Sequence, residues 1–368
     1  MSRLGNIGAK LYRGEVGYDF VAKRMLWYGI SILITVVAIA GLGFKGLHMG
    51  IEFQGGALFT TPPTSVSVEQ AKEDAKAASG GHEAIVQQLG NGSLRIQVGG
   101  LDTASATPVT EKLAQDLGVP AEKINTQLVG PSWGQDIADK AWTGLAVFMV
   151  LVVIYLAIAF EWRMAVAALI ALIHDLTITV GIYALVGFEV TPGTVIGLLT
   201  ILGYSLYDTV VVFDGLKDGA KDITKQTKYT YSEIANRSLN ATLVRSINTT
   251  VVALLPVAGL LFIGGGVLGA GMLNDISLSL FVGLAAGAYS SIFIATPLVA
   301  DLKEREPQMK ALKKRILAKR AAEAAKGDAG QGDAGQGADA PEDAVAAAAQ
   351  GVVSPRPGRG RSTQGKRR

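Results

Sequence analysis

The sequence predicts an α-helical membrane protein, with six transmembrane helices and one α+β, ferredoxin-like extracytoplasmic domain between spans 1 and 2. Three observations carry this. Of the 368 residues 49% are hydrophobic and only 18% charged, with mean hydropathy +0.34, too apolar for a water-soluble chain of this length. Apolar runs of spanning length recur along the chain. The long polar interval between the first two carries strand and helix signals in the order β-α-β-β-α-β.

Taken in order, residues 1–25 read as a cytoplasmic N-terminus with Lys10, Arg13, Lys23 and Arg24. The first span, Leu26 to Phe44 within a segment 26–46, lacks a small-residue cleavage site and should stay in the membrane. Residues 47–137 form the extracytoplasmic domain. It opens with a strand-like run from Ala57 to Thr61, then a helix from Val68 to Ala78 that Ser67 caps, with Gln70 placed to complete a capping box. Two strands, Glu83 to Leu89 and Leu94 to Val98, flank an Asn91-Gly92 turn, a hairpin signature. Thr107 and Pro108 open a second helix to about Leu117, and Lys123 to Val129 is the last strand.

Spans two to six occupy residues 138–302, at Ala138 to Phe160, Met164 to Phe188, Thr191 to Phe213, Ile247 to Leu268 and Ile276 to Ala300. The first three of these are joined so tightly that they must form antiparallel hairpins. Between the fourth and fifth spans of the chain lies a basic loop, 214–246, with Lys217, Lys221, Lys225, Lys228, Arg237 and Arg245. Arg163, between spans two and three, and Lys303, Arg305, Lys310, Lys313, Lys314 and Arg315, after the sixth, fall on the same side as this loop and the N-terminus. By the positive-inside tendency that side is the cytoplasm, so both termini are expected there. Residues 303–368 read as a largely disordered cytoplasmic tail. From about Ala318 the tail is rich in Ala, Gly and Asp, and its basic end has the charge to touch anionic lipid or ribosomal RNA, or simply to solubilise.

Composition also excludes. The net charge is +3 and the basic residues sit in loops rather than on one face, so nucleic acid is not the expected partner of the chain as a whole. There are no cysteines, and His48, His82 and His174 are too scattered to suggest a metal site. No cofactor and no enzymatic chemistry are expected. The Gly55-Gly56 pair lacks the strand-before, helix-after setting of a phosphate loop.

The informative residues are polar ones inside apolar runs. A carboxylate in a bilayer span costs a few kcal/mol on insertion scales, and such residues face a protein interior, find a partner or move protons. Asp208 is one, about 9 Å in from the end of the fourth span; His174 and Asp175 are another pair, about eleven residues into the third and hence near its middle. Arg245 opens the fifth span and is long enough to reach toward Asp208, so an Asp208–Arg245 pair that forms and breaks is one expectation. The plainer readings are packing glue for His174 and Asp175, and headgroup anchoring for Arg245. Asp214 should lie at the interface, and Glu52 should be solvated at the outer surface. Gly283 and Gly287 form a GxxxG that, with Gly264 to Gly266, predicts close helix contacts.

Five segments resemble a known family. These are GIEFQGGA from Gly50, VGPSWGQDIADKA from Val129, FEWRMAVAALIALIHDL from Phe160, GYSLYDTVVVFDG from Gly203 and SLNATLVRSINTT from Ser238. In type and order they are similar to the SecF family, the smaller membrane subunits of the bacterial SecDF protein-export complex, within the resistance-nodulation-division superfamily. The resemblance spans about Leu26 to Lys303. It implies a bacterial cytoplasmic-membrane location and partnership with SecD beside the SecYEG channel. It further implies that proton flow drives the outside domains to draw exported preprotein chains outward. It ties Asp208 and Arg245 to proton conduction and places the family's His-Asp pair on His174 and Asp175, with a further proton-carrying carboxylate on SecD. Tyr207 and Glu52 depart from the usual residues. Competing readings are a small-molecule or lipid exporter of the same superfamily, which would usually carry twice as many spans, and a non-conducting scaffold for the channel. Intramembrane proteolysis by Asp175 and Asp208 is disfavoured, because no GxGD element accompanies either aspartate.

Overall fold

The computed structural model describes residues 17–102, 104–265 and 271–332; expectations for 1–16, 266–270 and 333–368 fall outside them. The chain divides into two compact units, Met1–Leu317 and Ala318–Arg368.

In the first unit, helix α1 (Arg24–Lys45) leads to a two-residue strand β1 (His48–Met49) and a single helical turn α2 (Ile51–Gln54). The extracytoplasmic domain then runs β2 (Gly56–Pro63), α3 (Val68–Ala78), β3 (Ala84–Gln88), β4 (Ser93–Gly99), α4 (Ala106–Leu117) and β5 (Asn125–Val129). Its sheet order is β3-β4-β2-β5 with every neighbouring pair antiparallel, the ferredoxin-like arrangement the sequence predicts. Alternate residues Ala57 and Phe59 of β2 and Leu94, Ile96 and Val98 of β4 point to one face and are almost completely buried. There they meet Ala71 and Ala75 of α3 and Val109, Leu113 and Leu117 of α4. Where β2 reaches Pro62 and Pro63 the β2–β4 register shifts, since proline offers no N–H. The Thr61 hydroxyl takes up the slack by accepting the Leu94 N–H at 2.9 Å. Ser67 caps α3 through the Gln70 N–H (3.2 Å), but the Gln70 amide turns to Asp74 (2.9 Å) instead of closing the expected box.

The membrane part comprises α5 (Pro131–Ala159), α6 (Trp162–Val186), strand β6 (Glu189–Val190), α7 (Pro192–Gly219), α8 (Tyr231–Gly259) with a π segment Leu260–Gly265, α9 (Gly271–Ser290), a second π segment Ser291–Ala295, and α10 (Thr296–Glu304). Among the described residues six helical segments are long and apolar enough to cross a membrane. Half of the apolar window of α6 is buried within the protein (50%), against 11% for the α5 segment, so α6, α7 and the α9–α10 segment form the interior while α1, α5 and α8 offer faces to lipid or a partner. Glycines set the approach of α7 to α9. A Cβ on Gly283 would lie 1.8 Å from Ile201 Cδ1, and one on Gly287 2.9 Å from Ser205 Cβ, so the predicted GxxxG is a contact surface.

Two boundaries differ from expectation. The basic loop read at 214–246 is largely helix: α7 continues to Gly219, and α8 already begins at Tyr231, where Thr230 and Glu233 form a complete capping box. Hydropathy stops at the first charges, but helices do not, and only about residues 220–230 connect the two. Likewise α5 starts at Pro131 rather than near 138, because proline at the first helical position is already set at the helical φ. A short parallel ribbon pairs His48 with Glu189 and Met49 with Val190, tying the entry of the domain to the α6–α7 turn.

After α10, helix α11 (Pro307–Gly332) follows. Within the first unit its Met309, Leu312 and Ile316 are buried against the bundle. In the second unit residues 318–332 are helical, with Lys319 and Glu323 one turn apart at 3.8 Å, where disorder was expected from about Ala318. The run of Ala, Lys, Arg and Glu there has high helix propensity despite its lack of a core.

Candidate functional site

Asp208 lies on the buried side of α7, 7% exposed, and Ser205 one turn earlier shares that face. Asp175, 1% exposed, projects from α6 toward the same place. The third contributor is the end of α9. There the helix widens into the π segment Ser291–Ala295 just before Pro297, whose missing N–H cannot bond four residues back. The Thr296 hydroxyl bonds the Ser291 carbonyl at 3.3 Å instead. The widened turn begins at two consecutive serines, and each serves a different carboxylate.

Asp208 Oδ2 accepts the Ser291 hydroxyl at 2.5 Å and the Ser246 hydroxyl, from α8, at 2.6 Å. Asp175 Oδ2 accepts the Ser290 hydroxyl at 2.8 Å and the Ser205 hydroxyl at 2.5 Å. At these distances each serine hydroxyl donates to its carboxylate. Since Ser205 is three residues before Asp208, the two carboxylates are offset by about one helical turn, about 5 Å. Beside Asp175, His174 Nδ1 is 3.4 Å from Oδ1, a distance at the limit of hydrogen bonding. Its Nε2 is buried without a hydrogen-bond partner. The ring stacks near Tyr289 at 6.1 Å between centroids, and Tyr289 shares a hydrogen with Ser31 of α1 at 2.9 Å.

The expected Asp208–Arg245 ion pair is not made in this structure. Arg245 and Ser246 are consecutive on α8, about 100° apart around the helix, so only one can face Asp208. Ser246 takes that place. Arg245 lies on the exposed side of α8 and donates to the Tyr207 hydroxyl at 2.9 Å. Tyr207, 54% exposed, thus supplies the acceptor that Asp208 does not. Asp214 is exposed, as an interfacial residue should be. Glu52 is not solvated: it sits half-buried in α2, with Oε2 buried and without a donor.

The residues that sequence reasoning passed over are the hydroxyls, Ser205, Ser246, Ser290 and Ser291, with Ser31 and Tyr289 behind them. Serine and threonine are common in membrane helices and usually satisfy themselves on the carbonyl one turn back, as Thr177 and Thr200 do here at 2.7 Å. The available signal was the tandem Ser290-Ser291 within an apolar run, shortly before a proline. Among the described residues no group of three or more His, Asp or Glu is arranged to hold a metal ion.

Comparison with known proteins adds the following. Residues 109–305 match the family described as protein export membrane protein SecD/SecF, C-terminal, and residues 40–63 match the SecD/SecF GG motif. The protein translocase subunit SecF of Streptomyces coelicolor is 72% identical, with 100% of each chain covered. SecF of Mycobacterium tuberculosis is 39% identical over 86% of this chain and 74% of its own. The crystal structure of SecDF, a translocon-associated membrane protein from Thermus thermophilus, superposes with a TM-score of 0.69 at 31% identity. That match covers 79% of this chain but only 39% of the SecDF chain, so this chain spans about two fifths of its length.

Proposed function

The chain belongs to the SecD/SecF family of protein-export membrane proteins, as a SecF-type translocase subunit, and from that premise we propose that Asp208 and Asp175 carry protons whose passage drives late steps of preprotein export. The partner in this reading is SecD, which supplies a further proton-carrying carboxylate, and the pair acts beside the SecYEG channel. Both termini lie in the cytoplasm of a bacterial cell, with the ferredoxin-like domain outside the cytoplasmic membrane. Supporting that orientation, Lys217, Lys221, Lys225 and Lys228 cluster about the α7–α8 connection, at the opposite end of α7 from the sheet domain. No covalent chemistry is involved.

The observation that carries the reading is that two carboxylates buried in the bundle are held chiefly by serine hydroxyls, with His174 beside Asp175 and no lysine or arginine within ion-pair distance among the described residues. An ionised carboxylate only accepts, whereas a protonated one also donates. A proton placed on Oδ2 turns one of its two serine O–H groups away, and two of the four serines sit at the π turn that joins α9 to α10. A membrane potential of 100 mV acting on one elementary charge supplies about 2.3 kcal/mol, enough to bias such a two-position joint. His174, with a free ring nitrogen beside Asp175, is a relay between that site and its surroundings. In this reading Arg245, on the exposed face of α8, serves the partner's carboxylate rather than Asp208.

The test is export by vesicles carrying the full complex. Asp208→Asn is expected to leave assembly with the partner intact and to abolish proton-dependent stimulation. Normal stimulation in that variant would sink the proposal, and loss of assembly would make Asp208 a packing residue, as the scaffold reading requires.

A further inference from the structure

A second cluster of buried charge lies far from the first, where the ferredoxin-like domain meets the bundle. Arg95 reaches out of β4 of the sheet, and its Nη2 lies 3.3 Å from Glu189 Oε2 in β6 and its Nη1 4.0 Å from Asp275 Oδ1 near the start of α9. The three side chains are 12%, 5% and 11% exposed. Glu52 approaches from α2 with Oε2 buried and without a donor, and Glu189 Oε1 is buried without one too. From β1, His48 is registered against Glu189 across the ribbon and has its own Nδ1 buried and unbonded. From α6, the Tyr183 hydroxyl donates to the Asp275 carbonyl at 3.2 Å. Lys45 of α1 uses its ammonium on the Leu185 carbonyl at 2.7 Å. One guanidinium therefore faces three carboxylates.

A buried cluster with that imbalance does not hold all its charges at neutral pH, because desolvation and mutual repulsion both favour a bound proton. A cleft of about 570 Å³, lined by Gln87 and Gln88 of β3, Arg95, Val186 to Glu189, and Asn274 and Asp275, leads to it, so water has access. The cluster also bridges two bodies. Arg95 belongs to the sheet, whereas Glu189 and Asp275 belong to the bundle. The backbone between α2 and the sheet turns at Gly55-Gly56, and Gly56 has φ +135°, with the Val98 carbonyl only 2.3 Å from where a Cβ would sit. Only glycine fits there.

We propose that Arg95, Glu189 and Asp275 form a proton-operated latch that holds the extracytoplasmic domain against the membrane bundle when Glu189 carries a proton and releases it when Glu189 loses that proton to the outer solution. Ionisation of Glu189 leaves one guanidinium against an excess of buried negative charge, hydration of the carboxylates then outweighs the pairing across the joint, and the domain tilts about Gly55-Gly56. Burial pushes the Glu189 carboxyl up to about 7, with Arg95 pulling it down and Asp275 and Glu52 pushing it further up. The latch does not rest on conduction by Asp208; it needs only that the domain side faces outside.

The test uses the full chain co-purified with a cysteine-free partner subunit in lipid nanodiscs at equal pH on both faces. The chain itself has no cysteines, so Gln88→Cys and Val186→Cys, which line the cleft, give a pair of spin labels across the joint. We expect the separated population to fall at least threefold between pH 8.5 and 5.5. Glu189→Gln should hold the low-pH distance distribution at every pH. Asp275→Asn should keep the response and move its midpoint to lower pH, since a neighbouring negative charge is gone. The same response should persist in Asp208→Asn. A pH-independent distance in the parent chain, an unchanged profile in Glu189→Gln, or loss of the response in Asp208→Asn would each overturn the latch.

Discussion

The two charged clusters solve the same physical problem in opposite ways. Inside the bundle, Asp175 and Asp208 are held by four serine hydroxyls and no strong cation; at the joint with the domain, Glu189 and Asp275 are held by Arg95 and few hydroxyls. A hydroxyl rotates, so it can serve a carboxylate in either protonation state. A guanidinium stays charged whichever state the carboxylate is in. In the first arrangement a proton acts by turning hydroxyls, and in the second the carboxylate's charge decides whether two bodies hold together. What the difference teaches is that the choice of partner, more than depth of burial, sets what protonation does.

The largest expected effect that would break this comparison is at the joint. Arg95→Gln leaves Glu189 and Asp275 without their cation, which for a buried pair costs about 3–5 kcal/mol when the carboxylates are ionised. Glu189 has a folded-state value raised from 4.5 to about 7, so the stability it contributes is fully present below about pH 4.5 and is lost as pH rises through 7. Thermal unfolding of the detergent-solubilised complex should therefore show a loss in Arg95→Gln that is several-fold greater at pH 8 than at pH 5. An equal loss at both would mean that Arg95 acts by packing.

Next in size, Ser290→Ala combined with Ser291→Ala removes one of the two donors from each membrane carboxylate. The cost should be about 1–3 kcal/mol at each site, read as a lower unfolding temperature, with proton-stimulated export slowed but the joint's distance response unchanged. If that response disappeared, the two clusters would not be separable. The smallest effect belongs to Tyr207→Phe, which removes the hydroxyl holding Arg245 on an exposed face. Less than about 1 kcal/mol of stability should be lost, as for exposed polar contacts generally. A large loss would mean that Arg245 is not exposed in the assembled complex.

Much of this was legible in the chain. Hydropathy located the spans, and period-two alternation with the Asn91-Gly92 turn gave the ferredoxin-like order, because both patterns are local and repeated. Asp175 and Asp208 stood out because charge inside an apolar run is costly. Their partners did not, since a serine in a membrane helix has a local alternative on its own backbone, and whether it uses it depends on the neighbouring helix. Asp208 and Arg245 are unpaired in this structure because of helical phase, which reach along the chain does not capture. The joint was harder still: Arg95, Glu189 and Asp275 are far apart in sequence and each looks like an ordinary surface charge. The β1–β6 ribbon, two residues on each side, ties the α6–α7 turn to the entry of the domain.

The tandem at Ser290 and Ser291 has one more consequence. Because neighbouring residues on a helix point in directions about 100° apart, a single rigid turn holds both carboxylates at once, each at its own angle. Any twist of that turn that improves one bond worsens the other. In the proposed cycle the segment is a rocker between two seats, so that a proton arriving at either aspartate would be felt at its neighbour within one step of the backbone.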